Sequence, residues 1–313
     1  MAGTVALTGA TGFVGGAIAR RLSESGHPLR LLARRPAMVP VLSGEPIAIA
    51  GALEDRASLA RLMEGADMAV HAAGAIKAVD AREFERVNRD GAAAVAEAAR
   101  QAGVGRFVLI SSIAARSPLL SAYAASKRAG EAEVLQRLGE RVTVLRPPVV
   151  YGPGDRETLP MFRAARFGLF PILGPPEARL SFLHVTDLAG AVAACLGAGK
   201  APAGVHEPDD GAQGGYGWGE ILEAFGAVFG RAPRPIPVPL PVLRLCAGAS
   251  LATARITGRP HMLRPDKVNE LRHPDWVSRD SRLAEGAGWR ARYALDEGFA
   301  DAARWYRAHG WLK

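Results

Sequence analysis

Val5-Ala6-Leu7-Thr8-Gly9-Ala10-Thr11-Gly12-Phe13-Val14-Gly15 is the stretch whose reading decides the fold. A short β-rich run over Thr4 to Leu7 enters a glycine turn. Val14 to Ser25 then repeats apolar residues at helical spacing and stops at Gly26. Glycines permit the tight turn and let backbone N–H groups approach a pyrophosphate at the positive end of the following helix. A glycine triplet alone is weak. Strand, turn and helix in that order within the first 26 residues supply the context that makes it a dinucleotide fingerprint. Gly9, Thr11, Gly12, Phe13, Val14 and Gly15 are therefore candidate cofactor-binding residues.

The pattern continues outward from that loop. Strands are expected at Leu29 to Ala33, Met68 to His71, Arg106 to Ile110 and Val142 to Leu145. Helices are expected at Arg56 to Glu64, Asn88 to Gln101 and Ala122 to Leu138. Strands alternating with helices mean right-handed βαβ units and a parallel sheet covered on both faces, a doubly wound α/β fold of the Rossmann type. Past residue 150, proline- and glycine-rich stretches separate helices near 186–197, 218–229, 240–255 and 295–308. The expected organisation is a dinucleotide-binding domain over 1–150 and a smaller substrate-binding portion over 151–313, with return segments to the sheet.

Composition excludes several classes. With 313 residues, 49% hydrophobic and 22% charged, the chain buries a sizeable core and is not a disordered tail. Two cysteines, Cys195 and Cys246, build neither a disulfide framework nor a multi-cysteine zinc site, and no metal site is expected. The net charge of +8 suits an anionic cofactor, but the basic residues come in pairs rather than runs, which speaks against nucleic acid. No signal peptide precedes the first strand, so a cytoplasmic protein is expected. The longest apolar stretch, Val238 to Ile256, is broken by prolines, Arg244 and Arg255, too interrupted for a spanning helix.

The end of the second strand bears on the cofactor. An NAD-binding chain usually places an acid there to accept the ribose hydroxyl bonds. Here Ala33 is followed by Arg34 and Arg35, and a guanidinium suits a 2′-phosphate. NADP is expected ahead of NAD. Further on, Tyr123-Ala124-Ala125-Ser126-Lys127 puts a tyrosine and a lysine on one helix face, and Ser111-Ser112 ends the strand before it, at the sheet edge where such folds bind ligands. A carbonyl that receives hydride needs a proton donor. A tyrosine serves if its pKa falls from about 10 toward 7, about 4 kcal/mol of differential stabilisation, which a neighbouring ammonium supplies. Ser112, Tyr123 and Lys127 are the candidate catalytic residues.

These motifs together resemble the extended short-chain dehydrogenase/reductases, the NAD(P)-dependent epimerase/dehydratase type. The resemblance continues through Val70 to Gly74, Asn88, Arg146-Pro147, Val150 to Asp155, Phe182 to Asp187 and Trp305-Tyr306. It implies that Tyr123 is the general acid/base, that Lys127 also holds the nicotinamide ribose, and that Ser112 orients the substrate. It further implies cofactor contacts at Leu53, Ala72, Ala73, Gly74 and Pro147, and a homodimer through the helices at 88–101 and 122–138. Arg34 matches the arginine that flavonol-type reductases use for the 2′-phosphate. Three departures stand out: Ala52 replaces the acid before Leu53, only ten residues separate Ser112 from Tyr123, and Leu180-Ser181 stand where sugar-nucleotide enzymes tend to have Arg-Asp.

The expected activity is NADP-dependent interconversion of a carbonyl and an alcohol on a small or medium hydrophobic molecule. The alternatives are a nucleotide-sugar epimerase or dehydratase and a non-catalytic NADPH-binding protein. Cys195 reads as core filler, His71 as a packing and loop-anchoring residue, and Thr186 or Asp187 as a helix cap. Asn88 is either a cap or a residue holding the site's backbone. Leu240, Leu243, Ala247 and Leu251 form a helical stripe expected to pack over the substrate pocket, with membrane contact as the lesser alternative.

Overall fold

The computed structural model describes residues 2–197, 203–279 and 282–313. In the first half β1 (Val5–Thr8), α1 (Phe13–Glu24), β2 (Leu29–Ala33), β3 (Ile47–Ala50), α2 (Arg56–Met63) and β4 (Met68–His71) follow one another. A short α3 (Ala81–Phe84) leads through a π-helical turn over 85–90 into α4 (Gly91–Gln101). β5 (Arg106–Ile110), α5 (Ala122–Leu138) and β6 (Val142–Leu145) complete it.

The second half is built of smaller pieces: β7 (Val149–Tyr151), α6 (Leu159–Arg166), β8 (Leu169–Ile172), β9 (Arg179–Leu180) and β10 (Phe182–His184). α7 (Val185–Leu196), β11 (Gly204–His206), α8 (Trp218–Phe229), β12 (Arg234–Pro237) and α9 (Leu240–Thr257) come next. α10 (Lys267–Leu271), β13 (Asp275–Trp276), α11 (Arg282–Ala287) and α12 (Leu295–Ala308) end it. Seven strands form one parallel sheet in the order β11-β6-β5-β4-β1-β2-β3, so β11 joins the sheet of the first half. This is the doubly wound arrangement expected.

Each face of the sheet is covered by what the sequence offers it. Ile18 and Leu22 of α1 and Leu188, Val192 and Cys195 of α7 bury one face. Leu59 and Leu62 of α2, Val95 and Ala99 of α4 and Val134 and Leu138 of α5 bury the other. Continuous burial along β1, β4 and β6 is what a sheet shielded on both sides requires. A second core is aromatic: Tyr151, Phe162, Phe182, Phe225, Phe299 and Tyr306 meet largely edge to face.

Beyond the short helices α3, α6, α10 and α11 and the small strands after β6, which the sequence reading did not name, three differences stand out. β3 has no counterpart among the expected strands: its alternating Ile47-Ala48-Ile49-Ala50 lies at the edge of the sheet with three of four residues exposed. The helix expected from Asn88 starts regular α-geometry at Gly91, since the π turn swings Asn88 inward and buries it. The cap of α7 is neither Thr186 nor Asp187. His184 is the capping residue, its Nδ1 3.4 Å from the Thr186 N–H, while Asp187 accepts the Tyr293 N–H at 3.1 Å.

Candidate active site

Between β1 and α1 the chain turns at Gly9, whose φ of +84° lies in the left-handed region, and a Cβ there would stand 2.6 Å from the Ala73 nitrogen. A Cβ on Gly15 would strike the Gly9 carbonyl. The glycines thus hold β1, the loop after β4 and the start of α1 closer than side chains allow. Gly12 caps α1 without a side-chain bond, and Thr11 and Gly12 are exposed at the apex. First-turn N–H groups and the helix dipole therefore face outward, with backbone alone as the lining. That is the shape a pyrophosphate needs, and the residues fit a dinucleotide.

Behind this loop Thr8 Oγ1 pairs with His71 Nδ1 at 2.7 Å, and the Ala73 N–H reaches the same hydroxyl at 3.4 Å. Burial, helped by the charge of Lys127, pushes the imidazole down to about 3, so His71 is a neutral strut. It anchors the loop, as expected. Ala72, Ala73 and Gly74 run on from it along the carboxyl edge of the sheet. Arg34 and Arg35 are exposed just past β2, and Leu53 packs against Gly91 at the start of α4.

Asn88 holds the next part of the wall. Its side chain accepts the Ala75 N–H at 2.8 Å and donates to the Ala75 carbonyl at 3.0 Å and to Ser126 Oγ at 3.0 Å. A Cβ on Gly74 would lie 3.2 Å from Asn88 Oδ1 and 3.6 Å from Lys127 Nζ, so Gly74, Asn88 and Lys127 meet at one spot. Of the two readings of Asn88, the backbone clamp is the one the structure carries.

Ser112 lies two residues past β5 and caps the short turn over 113–116, its Oγ accepting the Ala114 N–H at 3.2 Å. Tyr123 stands in the first turn of α5, and the Ser112 side chain pulls its pKa down. Pro147 is fixed on the same rim, its carbonyl accepting the Ile113 N–H at 3.0 Å. Lys127 Nζ donates to the Ile110 carbonyl at 2.8 Å, and burial lowers its pKa to about 8 against the pull of Glu131. The structure therefore brings Ser112, Tyr123 and Lys127 to one edge.

The tyrosine's titration is opposite to the expected fall toward neutrality. Burial pushes the phenol up to about 12, with Glu270 adding to the rise and Ser112 opposing it. At neutral pH Tyr123 is therefore a protonated phenol, the form that donates.

A cleft opens over that phenol, and its wall comes largely from residues the sequence reading did not single out. Phe84 meets Tyr123 edge to face at 5.8 Å, and Lys267 Nζ stands 5.3 Å above its ring. Arg264, Asp266 and Glu270 complete a charged side, with Ile76 and Met262 beside them. Arg264 donates to the Ala78 and Val79 carbonyls, each at 2.9 Å, and Ala122 N donates to Asp266 at 3.1 Å. No local spacing signals a contact between Tyr123 and a segment some 144 residues later, so only the folded chain reveals it.

The chain is similar to known proteins. Residues 5–206 match the family described as the NAD dependent epimerase/dehydratase family. A ceramide reductase of Caulobacter vibrioides is 42% identical over 314 residues, covering 99% of this chain and 96% of that one. The solved structure of gox2253 superposes with a TM-score of 0.78 at 25% identity, covering 99% of each chain. The Bordetella bronchiseptica enzyme WbmG in complex with NAD shares the fold, with a TM-score of 0.76 at 21% identity over 100% of this chain and 96% of that one. With a glycine cradle for a dinucleotide, a hydroxyl pair at the strand end and reductases among its relatives, the chain belongs to the NAD-dependent epimerase/dehydratase family and is an NAD(P)-dependent oxidoreductase within it.

Proposed function

We propose that the protein uses NADPH to reduce a ketone on a ceramide-type lipid. The observation that carries this is the 42% identity to a ceramide reductase along nearly the whole of both chains, on a site whose tyrosine holds its proton. A ceramide backbone carries hydroxyls and an amide, so an oxidised, keto form is what a hydride donor reduces to the alcohol. The nicotinamide supplies the hydride to the carbonyl carbon. Tyr123 gives its phenolic proton to the carbonyl oxygen, and Ser112 donates a hydrogen bond that holds that oxygen in line. Lys127 and Asn88, meeting at Gly74, suit the ribose hydroxyls. The lining beside Tyr123 is amphiphilic in character, with Arg264, Lys267 and Glu270 as polar groups next to the apolar Ile76, Phe84 and Met262. Incubation of the enzyme with NADPH and an oxo-ceramide, against a sugar nucleotide and a short aliphatic ketone, tests the reading. Turnover confined to the sugar nucleotide would sink it.

Arg34 supports NADP as the cofactor, because it is exposed at the end of β2 where no acid competes for the ribose. A charge-assisted contact of about 1.5–3 kcal/mol converts to roughly ten- to a hundredfold. Arg34→Ala should raise the KM for NADPH by that factor and leave the KM for NADH nearly unchanged. Equal effects on both cofactors would remove Arg34 from the 2′-phosphate site.

Ala125 is exposed and Ala129 half-buried on α5, small residues that suit close helix packing between two copies. A homodimer is expected, and light scattering that returns 32.9 kDa would reject it.

A further inference from the structure

Helix α9 has two apolar faces, and one of them has no partner among the described residues. Leu243, Ala247 and Ala254 are buried on its inner side, where Leu243 and Ala247 pack with Val268 of α10. α10 in turn contributes Lys267 and Glu270 to the cleft over Tyr123. On the outer side Val242, Leu245, Ala249, Ala252 and Ile256 recur at intervals of three and four residues, which is a single stripe of a helix. All five are exposed, Leu245 by 75% and Ile256 by 84%.

The charge around the stripe decides what covers it. From Ala224 to Pro265 the chain carries six arginines and neither aspartate nor glutamate. Arg264 is bound inward to the Ala78 and Val79 carbonyls, while Arg231, Arg234, Arg244, Arg255 and Arg259 are exposed. On the helix wheel Arg244 and Arg255 fall together along one flank of the stripe. A second copy docked by two-fold symmetry would place this arginine-lined helix against itself with no acid of its own to answer it. An anionic bilayer meets both features, taking the apolar stripe at the acyl boundary and the guanidinium groups at the level of the phosphates. No helix among the described residues is long and apolar enough to cross a membrane, and a helix lying in the interface needs neither property.

We propose that α9 docks the protein in plane on an anionic lipid surface, which places the cleft over Tyr123 one helix away from the bilayer that holds a lipid substrate. The lipid-ketone reading supplies the purpose of this contact. The contact itself requires no substrate and is measured without one.

The test is flotation of the NADPH-loaded protein with vesicles of phosphatidylcholine alone and of phosphatidylcholine with phosphatidylglycerol in equal parts. The parent should float with the mixed vesicles and stay behind with the neutral ones. Leu245→Glu combined with Ile256→Glu should abolish flotation, and Arg244→Ala with Arg255→Ala should weaken it about thirtyfold. Both pairs are exposed, so NADPH binding and turnover of a short soluble ketone should survive, which separates loss of docking from failure of the reductase reading. A parent that never floats, one that floats equally with neutral vesicles, or a double-glutamate variant that still floats would overturn the proposal. A parent dimer dissolved by the double-glutamate change would overturn it too, by making a second copy the occupant.

Discussion

Tyr123→Phe is expected to lower the reductive turnover on the order of 10²–10⁴-fold while NADPH binds as before. The substitution removes one oxygen and keeps the ring, so the edge-to-face contact with Phe84 and the place beneath Lys267 persist. What is lost is the proton that the carbonyl oxygen must receive as hydride arrives. Single-turnover oxidation of bound NADPH, alongside a fluorescence titration of the cofactor, separates chemistry from binding. If turnover survives with binding intact, the proton comes from elsewhere and the assignment of Tyr123 fails.

The direction of the pKa shift at Tyr123 also predicts which way the reaction runs well. A phenol held near 12 is protonated throughout the neutral range, which serves reduction and starves oxidation of its base. Lys127, lowered to about 8, loses its positive charge as pH rises through that value. Reductive turnover should therefore stay flat below about 8 and decline above it, and alcohol oxidation should climb with pH. A reductive profile that rises steadily through pH 8 would show that neither group titrates as the site implies.

The parts of the fold legible in the sequence are those that local rules govern. Bounds for β2, β4, β5, β6 and α5 follow from apolar runs and helical spacing, because strands buried on both faces and a helix between fixed turns leave the chain little choice. The same holds for the phosphate loop, where backbone conformation is the function. β3 escaped although Ile47-Ala48-Ile49-Ala50 alternates, because its place at the sheet edge is set by pairing with β2 and not by burial. The charged wall of Arg264, Lys267 and Glu270 escaped for another reason. Its meaning comes from being folded over Tyr123, and no spacing within Pro265-Asp266-Lys267-Val268 records that. The titration of Tyr123 could not be read from Lys127's place one helical turn away either, since burial of the phenol is the largest influence on it.

Glu131→Ala should destabilise the protein by about 3–5 kcal/mol, the usual result of stranding a buried charge. Glu131 is 1% exposed and takes a bidentate grip from Arg146, Nε at 2.8 Å and Nη2 at 2.6 Å, with the Ser111 hydroxyl on the same carboxylate. Removing the acid leaves the Arg146 side chain, 9% exposed, with only Glu207 at 3.8 Å as a charged partner. Urea unfolding read by circular dichroism measures the loss, and Arg146→Met added to Glu131→Ala should restore part of it by removing the stranded cation. A loss below about 1 kcal/mol would mean that water reaches Arg146 and the network is not the clamp described. The consequences extend to the chemistry. Ser111 precedes Ser112, Arg146 precedes Pro147, and Glu131 lies one turn beyond Lys127 on α5. One carboxylate therefore ties together the ends of β5 and β6 and the helix that bears Tyr123. Under conditions where Glu131→Ala remains folded, its kcat should fall by more than its affinity for NADPH, which draws also on the glycine loop after β1, beyond β4 in the sheet.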